Sequence, residues 1–407
     1  MSTTAGVTHE AILRAHDAIR DVARHTPVLP SSTLTERCGG PVVLKAENLQ
    51  RTGSFKVRGA LNKLAALGDG CSAGVVCGSA GNHAQALAFA ARERGVPCEV
   101  FMPALAPIAK AEGAAELGAV VRLGGASVEE CVAAAKERAQ EAGLAFVHPF
   151  DDPDVVAGQG TLGLELLNDI PDLATVVVPL GGGGLTSGVA IAVKSALPHV
   201  RVIGVQVATC AAFPASLAAG EPVQVDPGLT IADGIAVKRP GVLTLGLIAE
   251  WVDEIVVVGE DEVAEAIVLL AEKAKLVVEG AGAVGAAALL GGQAAVAADG
   301  TTCVVLSGGN VDPGLLAEVA RRHETEAGRR LVLFTRVPDR PGALATLLDL
   351  VARSGANLVD VEHLREGVGL HVRETAVQLV LQTRGRDHAE QVTRAVGDGG
   401  YAARVVS

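Results

Sequence analysis

Residues 176–188 read VVVPLGGGGLTSG, a short apolar run followed by four glycines and a segment that can begin a helix. A run that is apolar at every position, rather than at alternate positions, is typical of a parallel strand buried on both faces. The uncharged interval 176–193 is nominally long enough to span a membrane, but Pro179 and the glycines would break a spanning helix. The stretch therefore predicts a buried strand, a turn and a helix start.

Short apolar runs of the same kind recur on both sides of this stretch. They predict strands at 42–46, 73–77, 99–102, 120–123, 145–148, 175–179, 202–206, 255–258 and 302–306. Ala-rich helical segments such as 83–94 and 127–142 lie between them. Strands that alternate with helices predict an α/β architecture with parallel sheets. The Gly- and Ala-rich interval 280–298 predicts a helix that packs closely against a sheet.

A charged run, RRHETEAGRR at 321–330, separates these elements from a last segment. That segment predicts, in order, β (331–337), α (342–354), β (357–364), β (375–383), α (387–397) and β (402–406). The order βαββαβ is that of a ferredoxin-like α+β sandwich. We therefore expect two domains, at 1–325 and 331–407.

Composition excludes several classes of partner. Hydrophobic residues make up 49% of the chain, aromatic residues only 2%, and the formal net charge is −12. Nucleic-acid binding favours a basic surface with aromatic side chains, so neither a nucleic acid nor an anionic membrane is an expected partner. The seven cysteines form no CxxC pair, which indicates reduced, mostly buried thiols in the cytoplasm. The N-terminus has no signal-peptide pattern.

The segment SFKVRGA at 54–60 supplies a candidate nucleophile, Lys56. A lone lysine is usually a solvated surface charge. Lys56, however, follows a turn of small residues (52–54) and begins a helix with an apolar face. A lysine held at such a turn is partly desolvated, which favours the neutral, nucleophilic amine of a Schiff-base lysine.

Three further motifs follow predicted strands. SAGNHAQ at 79–85 opens a helix, where free backbone amides bind an anion such as a carboxylate; plain helix capping by Ser79 and Asn82 is the alternative. The glycines at 181–184 let several amides approach one phosphate, although such a run is often only a loop. SGGN at 307–310 lies where ligands of open α/β sheets bind, or is simply a turn into the next helix.

In this order and spacing, the four motifs resemble those of the fold-type II pyridoxal-phosphate enzymes, and within them the threonine dehydratases (threonine ammonia-lyases). ENLQ at 47–50, TIADGIAVK at 230–238 and VEGAG at 278–282 extend the resemblance, which covers about residues 8 to 320. It implies a catalytic domain with parallel sheets in two subdomains, the smaller one (about 52–150) inserted in the larger.

The resemblance assigns a role to each motif. Lys56 binds the cofactor covalently and removes the α-proton of the substrate. The remaining cofactor-binding residues are Phe55 beside the cofactor, Asn82 at its 3′-oxygen, the amides of Gly181, Gly182, Gly183, Gly184 and Leu185 at its phosphate, and Ser307 at its pyridine nitrogen. The residues that hold the substrate carboxylate are Ser79, Ala80, Gly81, Asn82 and His83.

The implied reaction is the β-elimination of water from L-threonine, which yields 2-oxobutanoate and ammonia at the start of isoleucine biosynthesis. L-Serine or another 3-hydroxyamino acid is the alternative substrate, and a non-catalytic amino-acid sensor is the distant alternative. Ala80 stands where serine racemases of the family carry a serine, which favours elimination over racemisation. The strand end at 204–207 lacks the acidic cation ligand of those relatives, so no divalent metal site is predicted.

The stretches VPDRPGAL at 337–344 and GANLV at 355–359 resemble an ACT domain, an amino-acid-sensing module. The resemblance implies an effector site for isoleucine or valine, with Gly342 at a helix start and Asn357 at the polar end of the ligand. Because ACT domains bind effectors between paired copies, it also implies a homo-oligomer, a dimer or a tetramer. A purely structural dimerising domain is the alternative.

Overall fold

The computed structural model describes residues 6–106, 108–226, 228–365 and 370–406. The chain forms two compact units, Met1–Asp312 and Pro313–Ser407. The division precedes the helix α13 (Pro313–Glu326), whereas the sequence places it at the charged run 321–330. The difference arises because α13 packs against the first strand of the second unit, β11 (Arg330–Pro338).

The helices of the first unit are mostly amphipathic or fully buried connections between strands. They are α1 (His9–Ile19), α2 (Ser32–Cys38), α3 (Lys56–Leu67), α4 (Asn82–Arg94), α5 (Ile108–Glu116), α6 (Val128–Ala142), α7 (Pro153–Asp169), α8 (Gly184–Ala196), α9 (Ala212–Ala219), α10 (Val242–Trp251), α11 (Glu260–Leu269) and α12 (Gly280–Leu290). None of the described helices, in either unit, is long and apolar enough to cross a membrane.

The strands of the first unit form two sheets. They are β1 (Val28–Pro30), β2 (Val42–Ala46), β3 (Val75–Gly78), β4 (Cys98–Met102), β5 (Val120–Leu123), β6 (Ala145–Phe146), β7 (Leu173–Pro179), β8 (Arg201–Val207), β9 (Glu254–Val258) and β10 (Thr301–Leu306). The larger sheet has the order β1-β2-β10-β7-β8-β9, and the smaller has the order β5-β4-β3-β6. All neighbours pair in parallel except β1 and β2. The predicted α/β architecture with parallel sheets is therefore confirmed.

Three local predictions differ from the structure. The sequence predicts no strand at 28–30, where β1 is an antiparallel edge strand too short for a periodic pattern. It predicts β5 as a buried strand, yet β5 lies at the sheet edge and Val120 and Leu123 are exposed. It predicts a helix over 280–298, whereas α12 ends at Leu290, before a turn at Gly291 and Gly292.

The larger sheet aligns the predicted functional loops. Strand β10 pairs in parallel with β2 on one side and with β7 on the other. The carboxyl ends of all three strands therefore lie at one edge of the sheet. Ligands of open α/β sheets bind at this edge, and here it carries Glu47, the glycine loop 181–184 and Ser307.

The second unit contains the βαββαβ order that the sequence predicts. After α13 come β11, α14 (Ala343–Arg353), β12 (Asn357–Leu364), β13 (Glu374–Gln382), α15 (Arg386–Asp398) and β14 (Arg404–Val405). The four strands form an antiparallel sheet in the order β12-β13-β11-β14. Apolar residues of α14 and α15 pack on this sheet as a separate hydrophobic core.

Seven free cysteines agree with the predicted reduced thiols: Cys38 is partly exposed and the other six are buried. Burial raises the pKa of the Cys98 and Cys303 thiols to about 12, so these thiols remain protonated and unreactive at neutral pH.

A buried ion network fixes α3 within the first unit. Arg58 is 1% exposed, and its guanidinium bonds Glu47 Oε1 at 2.8 Å and Glu165 Oε1 at 2.6 Å. Glu165 also pairs with the buried Lys45 at 2.7 Å. Removing one member of such a network leaves an uncompensated charge in the interior, which is strongly destabilising.

We expect Arg58→Met to lower the free energy of unfolding of the first unit by about 3–5 kcal/mol, because the buried Glu47 loses its ion-pair partner and Glu165 keeps only Lys45. The urea midpoint of the purified variant measures this loss. The matched control is Arg37→Ala, which breaks an exposed pair with Glu265 at 3.0 Å and should cost less than about 1 kcal/mol. Equal midpoints for the two variants would contradict the assignment.

Candidate active site

The turn before Lys56 is joined to the loop after β10. Ser54 forms an antiparallel bridge with Gly308, and the Phe55 amide donates to the Ser307 carbonyl at 3.0 Å. Gly53, with φ of 72°, receives a hydrogen bond from the Gly309 amide at 2.9 Å. These contacts hold the start of α3 beside the carboxyl end of a central strand.

The Lys56 amine lies in a partly desolvated position. Its Nζ donates to the Pro149 carbonyl at 2.8 Å. Burial lowers the pKa of this amine to about 8, although the Glu279 carboxylate partly opposes the shift. A neutral, nucleophilic fraction is therefore available near neutral pH, as the sequence predicts for a Schiff-base lysine.

The loop 79–83 comprises the turn after β3 and the first two residues of α4. Gly81 is the N-cap of α4, and no side chain caps the helix, so the capping alternative for Ser79 and Asn82 is not what the structure contains. The Ser79 hydroxyl instead accepts from the Gly81 amide at 3.3 Å. The free amides of the first turn of α4 remain suited to an anion.

His83 has a structural contact. Its Nε2 lies 3.1 Å from the Val147 carbonyl, and the ring is buried. Burial, and then the nearby Lys56 charge, lower the pKa of this imidazole to about 3. The imidazole of His83 therefore stays neutral across the physiological pH range and cannot act as a positively charged proton donor. Its link to the site is its position at the start of α4.

The glycine loop has no space for side chains. A Cβ on Gly182 would lie 2.3 Å from the Phe150 ring, and Gly183 adopts a left-handed φ of 93° as the N-cap of α8. The backbone of the loop therefore passes close to the site and leads directly into a helix N-terminus. Amides and a helix dipole in this arrangement favour a phosphate group.

Two adjoining cavities contain the predicted residues. The inner cavity is lined by Phe55, Lys56, Asn82, Pro149, Phe150, Gln159, Pro179, Gly181, Gly182, Gly183, Gly184, Leu185, Gly234, Ile235, Glu279, Ala281 and Ser307. The outer cavity, of about 590 Å³, is lined by the loop 79–83 together with Lys110, Asp233 and the segment 236–239, among others. Lys56, Asn82 and Glu279 line both.

Sequence reasoning missed three polar residues of the site. Glu279, at the start of α12, accepts from Asn82 Nδ2 at 2.7 Å. Asn310 donates to Asn82 Oδ1 at 2.8 Å. Gln159, buried in α7, accepts from the Gly59 amide at 3.2 Å. Glu279 and Asn310 belong to the motifs VEGAG (278–282) and SGGN (307–310), which could have identified them as site residues. No motif contains Gln159, so no signal in the sequence could have identified it.

The residues present fit a phosphorylated cofactor held by a lysine. The glycine loop forms a cradle that a Cβ would fill, and the inner cavity ends at an amine with a lowered pKa. The loop 79–83, at the N-terminus of α4, lines the outer cavity, which Lys56 also lines.

Comparison with known proteins agrees with this geometry. Residues 19–308 match the family described as pyridoxal-phosphate dependent enzyme. L-threonine ammonia-lyase of Thermotoga maritima is 45% identical over 98% of this chain and 100% of its own. The crystal structure of T.th. threonine deaminase has a TM-score of 0.71 at 39% identity, covering 75% of this chain and 99% of that one.

A structure of maize serine racemase is also similar, with a TM-score of 0.74 at 34% identity, covering 79% of this chain and 99% of that one. This chain belongs to the pyridoxal-phosphate dependent enzymes. The family match over residues 19–308 and the 45% identity over nearly the full length of the chain establish this, and the Lys56 site agrees with it.

Proposed function

We propose that this enzyme eliminates water from L-threonine and releases 2-oxobutanoate and ammonia. The observation that carries the proposal is the position of Lys56, which lines both the cavity that contains the glycine loop 181–184 and the cavity that contains the loop 79–83. The names of the threonine ammonia-lyase of T. maritima and of the T.th. threonine deaminase support threonine as the substrate.

Pyridoxal phosphate, when bound, supplies an aldehyde that condenses with amines and a ring that withdraws electrons from the substrate α-carbon. The backbone amides of 181–185 would hold its phosphate, Ser307 would meet its ring nitrogen, and Asn82 would donate to its 3′-oxygen. Phe55, which lines the inner cavity, would lie beside its ring.

Lys56 acts as the base on the substrate. With its pKa lowered to about 8, the free amine can accept the α-proton near neutral pH. The loop 79–83 would hold the substrate carboxylate with backbone amides and so orient the α-hydrogen toward the lysine. Ala80 offers no hydroxyl in the outer cavity, which supports elimination rather than proton return on the opposite face.

L-Serine is the second candidate substrate, because it differs by one methyl group. Such a difference is worth only about 1–3 kcal/mol of discrimination in a pocket. The similarity to maize serine racemase, whose name indicates serine as its substrate, supports L-serine as this second candidate. The non-catalytic sensor is set aside, because the chain belongs to an enzyme family and retains the lysine site.

We further propose that residues 331–407 are an ACT regulatory domain, which α13 precedes, and that the catalytic domain before it has a smaller subdomain at about 52–150. The βαββαβ order, the sheet order β12-β13-β11-β14 and the φ of 83° at Gly342, the N-cap of α14, support the ACT assignment. With this domain we propose a homo-oligomer, an isoleucine or valine effector and a role in isoleucine biosynthesis. The free thiols support a cytoplasmic location.

The test of the proposed activity is the rate of 2-oxo-acid release from threonine and from serine by the purified holoenzyme. We expect threonine to give the higher kcat/KM, and Lys56→Ala to abolish release from both because no base remains. Circular dichroism of this variant checks that it is folded. Turnover that survives in Lys56→Ala, or the absence of any release by the parent enzyme, would contradict the proposal.

We expect Gly182→Ala to weaken pyridoxal-phosphate binding, because its Cβ would lie 2.3 Å from the Phe150 ring. Overpacking of this kind costs about 1–3 kcal/mol, or roughly a 5- to 150-fold rise in Kd. Fluorescence titration of the apoenzyme measures the Kd. The matched control is Gly70→Ala, whose Cβ meets nothing within 4 Å, and an equal effect in both variants would refute the cradle.

The regulatory proposal predicts that isoleucine or valine changes the threonine deamination rate of the full chain. We expect Asn357→Ala to reduce this response at least severalfold, because the ligand loses a polar contact. Rates measured across an effector titration test this. If the effector changes the rate of Asn357→Ala by the same amount and with the same midpoint as in the parent enzyme, the assignment of Asn357 to the effector site is wrong.

A further inference from the structure

Glu279 is a buried carboxylate at the junction of the two cavities. It precedes α12, a helix composed of Gly, Ala, Val and Leu, and is only 4% exposed. Its backbone amide donates to the Gly308 carbonyl at 3.0 Å. A Cβ on Gly308 would lie 2.2 Å from Glu279 Oε1, so the absence of a side chain there makes room for the carboxylate.

A chain of hydrogen bonds runs through Asn82. Asn310 Nδ2 donates to the Thr52 carbonyl at 2.7 Å and to Asn82 Oδ1 at 2.8 Å. At the other end, Asn82 Nδ2 donates to Glu279 Oε1 at 2.7 Å. The chain thus connects the turn that precedes Lys56 with the start of α12.

This series of hydrogen bonds fixes the orientation of the Asn82 amide from both ends. The Thr52 carbonyl can only accept, so the nitrogen of Asn310 must face it, and Asn82 must present its oxygen to that nitrogen. An ionised Glu279 can also only accept, so Asn82 must present its nitrogen there. One of the two Nδ2 hydrogens then remains for a ligand in the inner cavity.

The charges around Glu279 come from three elements. Burial, and next the Asp233 carboxylate, raise the pKa of Glu279 to about 7, while the Asn82 hydrogen bond, Lys110 and Lys56 act to lower it. Lys110 in turn forms an ion pair with Asp233. A carboxyl that titrates near neutrality changes from a pure acceptor to a group that can also donate.

We propose that Glu279 is a positioning residue for the reaction, whose carboxylate holds the Asn82 amide with one Nδ2 hydrogen directed to the cofactor's 3′-oxygen. The inference rests on the proposed role of Asn82. Below the midpoint of the Glu279 titration, the carboxyl gains a proton and its hydrogen bond from Asn82 weakens. The cofactor's environment therefore changes with pH through this carboxyl.

The experiment compares the holoenzyme with Glu279→Gln and Glu279→Asp. Its readouts are the visible absorbance of the bound cofactor from pH 5.5 to about 9, the Kd for pyridoxal phosphate, and kcat/KM for threonine over the same range. We expect a parent transition near pH 7 in absorbance and kcat/KM. Glu279→Gln should lose it and bind the cofactor about tenfold more weakly, because a glutamine can turn and release Asn82. Glu279→Asp should restore a transition.

Charge changes at a distance provide a second measurement. Asp233→Asn removes a negative charge that raises the pKa of Glu279, so the transition should move to lower pH. Lys110→Met removes a positive charge that lowers this pKa, so the transition should move to higher pH. A purely structural glutamate would not produce opposite shifts in the two variants.

Three outcomes would overturn the inference: a transition unchanged in Glu279→Gln, no transition in the parent between pH 5.5 and 9, or shifts of the same sign in Asp233→Asn and Lys110→Met. Asn82→Ala separates this failure from that of the proposed site. If Asn82→Ala alters absorbance and Kd while Glu279→Gln does not, only the role of Glu279 is wrong. If Asn82→Ala alters neither, the cofactor contact assigned to Asn82 is wrong, and the inference is overturned with it.

Discussion

Arg58 carries a positive charge into the interior of the first unit, two residues after Lys56. Its guanidinium joins Glu47, at the end of β2, to Glu165, on α7. Burying such a network costs desolvation free energy, which offsets much of the attraction between its charges. Its main effect is therefore to fix the position of α3 rather than to raise the net stability of the fold. The helix that begins at Lys56 is thereby held between the larger sheet and α7, and the reactive amine has a defined position.

Burial acts in opposite directions on the two ionisable groups that line both cavities. It lowers the pKa of Lys56 to about 8 and raises the pKa of Glu279 to about 7, because removal of water disfavours either charge. Their mutual attraction opposes both shifts. An amine and a carboxyl group whose pKa values fall in the neutral range therefore meet at one junction, and both change charge near neutral pH.

The site also depends on side chains that are absent. Gly182 lets the glycine loop 181–184 pass the Phe150 ring, and Gly308 leaves room for the Glu279 carboxylate. In both places the backbone comes close to a group that contributes to the site. The high glycine content of the chain, 49 residues, thus includes positions where a methyl group would displace functional parts.

The sequence by itself determined the alternation of strands and helices in the first unit and the βαββαβ order of the second. It also determined the positions of Lys56, the glycine loop, the loop 79–83 and Ser307. These features are local, because an apolar run, a glycine turn and a helix start each occupy a few consecutive residues. The edge strand β1 and the exposure of β5 were not predictable, since neither is encoded in a local pattern.

Only the tertiary structure decided how single polar residues from distant segments meet. Asn82 contacts Glu279 across 197 residues of sequence and Asn310 across 228. Arg58 meets Glu165 across 107. A single polar residue forms no periodic pattern in the sequence, so its contact partner cannot be predicted from the sequence. The parallel order of β2, β10 and β7 brings Glu47, Ser307 and the glycine loop to one sheet edge. Asn82, which follows β3 of the smaller sheet, joins this group through its hydrogen bonds to Glu279 and Asn310.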